Sequence, residues 1–131
     1  MTAPTLLTTC LALAAFAGAA PEPADLYPRL VRSTAWVQAG DNGAGTGFLI
    51  DRPRRLLVTN LHVVGGRKRI EVFFPVFRDG GLGVDRAEYL GDRDALHRTG
   101  RATWGTVIAR REGADLALVE LDTVPADCVL L

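Results

Sequence analysis

The sequence predicts an all-β, antiparallel fold from residue 34 onward, and three observations carry that prediction. Short apolar runs alternate with clusters of Gly, Asn, Asp and Pro, the punctuation of strands joined by turns. A single stretch, residues 84–98, breaks this rhythm. The 131-residue composition, 48% apolar and 23% charged with 14 Gly and 7 Pro, is that of an ordinary globular chain, which excludes collagen-like, coiled-coil and disordered classes. The length suits one domain and not two.

Six strands follow from the pattern. Thr34–Gln38 is the first, and the φ-permissive turn Asp41-Asn42-Gly43-Ala44-Gly45 leads into a second at Thr46–Asp51. Asp51-Arg52-Pro53-Arg54 makes the next turn, into Arg55–Thr59, and Arg69–Phe74 is a fourth strand ended by Pro75. Residues 84–98, VDRAEYLGDRDALHR, have helix-favouring composition, with Gly91 interrupting an imperfect apolar spacing. They predict a partly helical insertion, within an excursion from residue 75 to 101, with His97 on its surface. Ala102–Arg110 and Leu116–Leu121 complete the strands.

Charge and motifs narrow the function. Fifteen basic and 15 acidic side chains give zero net charge, so composition makes no case for binding nucleic acid or an anionic membrane. No CxxC, HExxH, Walker-type or GxGxxG motif occurs, which predicts no metal, nucleotide or other cofactor. The clusters Arg52, Arg54, Arg55 and Arg67, Lys68, Arg69 read as solvated loop charges.

The first 19 residues, MTAPTLLTTCLALAAFAGA, read as a secretory signal peptide. The apolar run Leu6–Phe16 is too short to span a bilayer, and Ala17-Gly18-Ala19 is a small-x-small cleavage pattern. An exported protein, periplasmic or secreted, with no stable membrane anchor is the expectation. Leu7-Thr8-Thr9-Cys10 makes a poor lipoprotein box, and removal of the signal leaves Cys128 alone, with no internal disulfide. Residues 20–33 read as a Pro-containing spacer, and residues 34–131 as the folded unit.

Three segments could carry chemistry: Gly45-Thr46-Gly47-Phe48, Thr59-Asn60-Leu61-His62-Val63-Val64 and Asp115-Leu116-Ala117-Leu118. Each alone is weak, since a lone histidine beside a strand or an aspartate before one is ordinary turn chemistry. Together, and in this order, they resemble the amino-terminal half of trypsin-like serine proteases, in particular the bacterial HtrA/Deg-type branch. There a G-[ST]-G-F strand precedes T-N-x-H-V-V and a D-L-A-[LV] strand follows. The resemblance spans residues 34 to 124. It implies a single six-stranded Greek-key-type barrel, the first half of a double-barrel fold, with a protein or peptide as substrate. By the match His62 takes the general-base position and Asp115 the position that orients it. A near-neutral imidazole can take a hydroxyl proton at neutral pH, and a carboxylate on its other nitrogen fixes the tautomer.

The rest of the catalytic apparatus is not in the sequence. Ser33 is its only serine, lies before His62, and has no glycine-rich flanks. The family's G-[DN]-S-G-G segment has no counterpart, and Cys128, in Ala126-Asp127-Cys128-Val129, lacks the glycines that would turn a nucleophile outward. The expectation is therefore a serine-type endopeptidase barrel with His and Asp but without nucleophile, oxyanion hole or specificity pocket, inactive alone. Truncation, frameshift or gene decay would explain this, and a second barrel could come from a separate chain. Two alternatives stand beside it: a non-catalytic protein- or peptide-binding module derived from a protease barrel, and an unrelated small β-barrel or sandwich.

Overall fold

The computed structural model describes residues 23–79 and 81–130. Residues 1–19, read as a signal peptide, and Cys10 with them, lie outside the described residues. Helix α1 (Pro23–Ser33) is followed by β1 (Thr34–Ala39), β2 (Gly43–Asp51) and β3 (Leu56–Asn60), then the single helical turn α2 (Leu61–Val64) and β4 (Arg69–Phe73). A short hairpin, β5 (Phe77–Arg78) and β6 (Gly81–Leu82), precedes helices α3 (Arg86–Gly91) and α4 (Arg93–Arg98). Strand β7 (Ala102–Arg111), a 3-10 turn (Glu112–Ala114) and β8 (Leu116–Leu121) follow.

The six long strands close into an antiparallel barrel in the order β1-β2-β3-β8-β7-β4, with β4 returning to β1. The predicted strands are all present, and the excursion joins barrel neighbours, since Phe73 pairs with Ala102. One boundary moves appreciably. Ala39 pairs with Gly43, so the first turn contracts to Gly40-Asp41-Asn42, with Gly40 at φ +67°, and Ala44 and Gly45 join β2. Residues 23–33 of the expected spacer form α1 instead. Pro23 begins that helix, where its missing N–H costs no helical bond, although Pro28 lies inside it.

Alternation fills the barrel. Val37, Leu57, Val72 and Val119 point inward and are fully buried, in one core with Leu49, Ile70 and Leu121. Each such aliphatic side chain contributes about 1.5–3 kcal/mol of transfer free energy on burial. Strand β4 departs from alternation, because Ile70, Glu71, Val72 and Phe73 are all buried. Its outer face is covered by the insertion, where Leu96, Phe73 and Ala102 form a second small core. Trp36 stacks on Phe73 with ring centroids 4.8 Å apart, and Tyr89 meets both rings edge-on at 6.2 Å. The Tyr89 hydroxyl accepts from Val76 N–H and donates to the Gly83 carbonyl, both at 3.0 Å, which ties the hairpin to α3.

The candidate active site

Strand pairing brings the two candidate residues together. Asn60 at the end of β3 pairs with Leu116 at the start of β8, so the residues just beyond, His62 and Asp115, emerge at one rim of the barrel. Asp115 sits at φ +50° and ψ +46°, the left-handed conformation that Asp tolerates better than most residues. From there its carbonyl accepts from Leu61 N–H at 3.0 Å. Its Oδ1 accepts from the His62 backbone N–H at 2.9 Å, and Oδ2 lies 2.6 Å from His62 Nδ1. Asn60 Nδ2 donates to both the Asp115 carbonyl (3.3 Å) and Oδ2 (3.2 Å).

The glycines of β2 set the other side of this turn. A Cβ on Gly45 would lie 2.5 Å from Val63 Cγ2, and one on Gly43 would lie 2.6 Å from the Val63 carbonyl. Only bare backbone lets Val63, the residue after His62, pack against the strand. Val63 and Val64 are buried in the core, which leaves His62 on the outer face of the turn.

The surroundings of Asp115 favour its ionised form. The Asp115 carboxyl is held below its ordinary value of 3.8 by the His62 backbone N–H first and the His62 ring second, with Asn60 adding to both and desolvation opposing. At neutral pH it is an ionised acceptor, so the proton between the groups belongs to Nδ1. In a neutral imidazole of that tautomer Nε2 is the acceptor, and it has no hydrogen-bond partner among the described residues. Such an imidazole can take a proton from an approaching hydroxyl while the carboxylate stabilises the resulting imidazolium.

The side chains considered as nucleophiles are not beside it. Ser33 is buried at the end of α1, its hydroxyl donating to the Leu30 carbonyl at 2.8 Å. Cys128 is a buried core residue whose thiol is pushed up to about 11, chiefly by desolvation, so it is protonated at neutral pH. Among the described residues no group of three His, Cys, Asp or Glu side chains could hold a metal ion, and no helix is long and apolar enough to cross a membrane.

Two expectations need correction. His97 is not a free surface residue. Its Nε2 is 2.8 Å from Glu71 Oε1, its ring stacks on Trp104 at 5.8 Å, and only 26% of its side chain is exposed. Glu71, buried on the outer face of β4, also takes Arg93 at 2.6 Å, so a carboxylate that burial would penalise is satisfied by two residues of α4. The arginine clusters are likewise not simply solvated. Arg52 donates to the Cys128 and Pro125 carbonyls (2.6 and 3.0 Å), and Arg55 to the Leu121 carbonyl and Glu120. Arg69 forms a two-pronged pair with Asp122. Barrel closure brings these partners near from far along the chain, where local composition cannot reveal them.

Asn60 is the site residue that its place in the sequence did not mark for a role of its own. The signal was its position two before the histidine, at the strand end that meets β8.

No protein-family model and no curated protein sequence matches this chain. Among solved structures it is similar to the crystal structure of Deg5, at 21% identity and a TM-score of 0.50, over 75% of this chain and 41% of Deg5. It is also similar to the inactive form of Rv3671c protease, at 21% identity and a TM-score of 0.45, over 82% of this chain and 43% of that one. The chain therefore spans less than half the length of either. The closed six-stranded antiparallel barrel and the likeness to Deg5 together show the fold of this chain to be a trypsin-like protease barrel.

Proposed function

We propose that this barrel supplies the general base and its orienting acid to a serine-type endopeptidase site, with the nucleophile and oxyanion donors coming from a second barrel. The observation that carries this reading is the His62–Asp115 pair, 2.6 Å apart with Nε2 free. The hydroxyl would give its proton to Nε2 as it attacks a peptide carbonyl, and Nε2 would return that proton to the leaving amine. Asp115 would keep its charge throughout and hold His62 by both carboxylate oxygens, Oδ2 on the ring and Oδ1 on the backbone N–H. With residues 1–19 read as a secretory signal, the site would work outside the cytoplasm.

The test is hydrolysis of denatured casein. The purified chain is expected to show no turnover above blank, because base and acid without a nucleophile form no covalent intermediate. A preparation joined by the second barrel, on the same polypeptide or another, is expected to cleave casein. His62→Ala should reduce that rate by about six orders of magnitude. Cleavage indifferent to His62 would sink the reading. Saturable peptide binding without cleavage in the two-barrel preparation, unchanged by His62→Ala, would favour the non-catalytic module.

A further inference from the structure

Away from the His62 rim, two cavities flank the insertion and share one wall residue, Arg86. The first, about 400 Å³, lies between α1, β1 and the 82–89 segment and is mainly apolar, with Trp36, Phe73, Tyr89 and Leu82 in its walls. The second, about 590 Å³, opens over β4 beside α3 and α4, and four arginines, Arg67, Arg69, Arg86 and Arg93, line it with the two carboxylates Asp41 and Glu71. Volumes of this size are typical of small-molecule sites.

The charges in the second cavity are unevenly satisfied. Arg69 is paired with Asp122 and Arg93 with Glu71, and Glu71 has its other oxygen on His97. Among the described residues, Arg67 and Arg86 have no carboxylate partner. Arg86 instead stands over the Trp36 ring, 5.1 Å from its centre, and donates to Gln38 Oε1 at 3.1 Å. Its guanidinium thus borders an apolar aromatic chamber and a cationic one, with donors to spare for an anion.

We infer that the insertion and the outer face of β1 and β4 form a binding site for an amphipathic anion, an apolar body in the Trp36 chamber and its carboxylate on Arg86 and Arg67. The apolar lining contributes affinity in proportion to buried area, and the guanidinium pair selects the sign of the charge. This site does not depend on the role proposed for His62.

A Trp104→Phe variant retaining Trp36 gives the readout, since Trp36 lines the apolar chamber. Fluorescence of that variant would be titrated with octanoate, octan-1-ol, octylammonium and inorganic phosphate. Saturable binding of octanoate is expected, with octanol and phosphate each at least about tenfold weaker, the effect of losing one charge-assisted contact or the apolar body. Octylammonium should not bind. Arg86→Gln should weaken octanoate by about tenfold and Arg67→Gln by less, with octanol unaffected by either. Arg86 and Arg67 are exposed residues, and an unchanged thermal midpoint would exclude unfolding as the cause. Absence of saturable binding overturns the inference. So does octanol matching octanoate, phosphate matching octanoate, or an Arg86→Gln variant that binds octanoate as before.

Discussion

Two histidines in this chain meet a carboxylate through a ring nitrogen, in opposite surroundings. At the barrel rim His62 is 72% exposed and Asp115 45% exposed. Beneath the insertion His97 is 26% exposed and Glu71 only 3%. The rim pair is joined through Nδ1, with the His62 backbone N–H and the Asn60 side-chain amide sharing the carboxylate, so the ring is oriented while Nε2 has no partner among the described residues. The insertion pair is joined through Nε2, with Arg93 on the second oxygen and Trp104 on the ring face, so it holds α4 to β4. A His–carboxylate contact is therefore no functional signature in itself. What separates a candidate catalytic pair from an anchor is which nitrogen is spent and how much of the ring water can reach.

Breaking each pair should bring out that difference. The largest stability loss is expected for the double substitution Arg93→Ala and His97→Ala, which strands the buried Glu71 carboxylate and should cost about 3 kcal/mol. Urea unfolding would measure it, and adding Glu71→Gln should recover part of the loss. Gly45→Ala should cost about 2 kcal/mol by pushing a methyl group into Val63, and it should displace the His62 turn in amide NMR shifts. Asp115→Ala removes the acceptor for His62 N–H and places alanine at positive φ, so its urea midpoint should fall, whereas Asp115→Asn keeps an acceptor and should lower the midpoint less.

The smallest effect is the pH dependence at the rim. Asp115 has a depressed folded-state pKa, so its contribution is complete above the ordinary aspartate value of 3.8 and is lost as the pH falls through the folded-state value. Denaturation midpoints from about pH 6 to pH 2 should therefore fall on acidification, less steeply in Asp115→Asn. Some slope should remain, because Asp122 and Asp127 are also depressed, by Arg69 and Arg101. A slope unchanged by Asp115→Asn would mean that the rim pair contributes nothing to folding.

The strand ends of the rim and the helical character of the insertion were legible in the sequence, and the way the insertion packs on the barrel was not, for physical reasons. Barrel strands declare themselves through alternation and glycine-bearing turns, and Asp115 and His62 each sit at a strand end where such patterns stop. The anchor depends on contacts between β4 and α4, and the charged composition of residues 84–98 conceals that Leu96, Tyr89 and His97 face inward. One clue was present: Val72-Phe73-Phe74 is a continuous apolar run, buried throughout, that a one-sided strand would not need. Helix α1 was hidden by Pro23 and Pro28, residues that read equally well as linker.

The left-handed turn at Asp115 also limits what substitution can do at the rim. That position must satisfy a backbone conformation and a set of hydrogen bonds through one residue. Glycine meets the first demand but brings no acceptor, glutamate brings a carboxylate on a stem one carbon too long, and asparagine brings the right shape without the charge. Aspartate, unlike these three, joins tolerance of the conformation to a charged acceptor of the right length. Its carbonyl and both carboxylate oxygens grip consecutive residues of the histidine turn, so His62 and Asp115 are tied together as the barrel folds. Under the proposed role, a hydroxyl approaching Nε2 would meet a ring whose orientation is set by the same hydrogen bonds that close the turn.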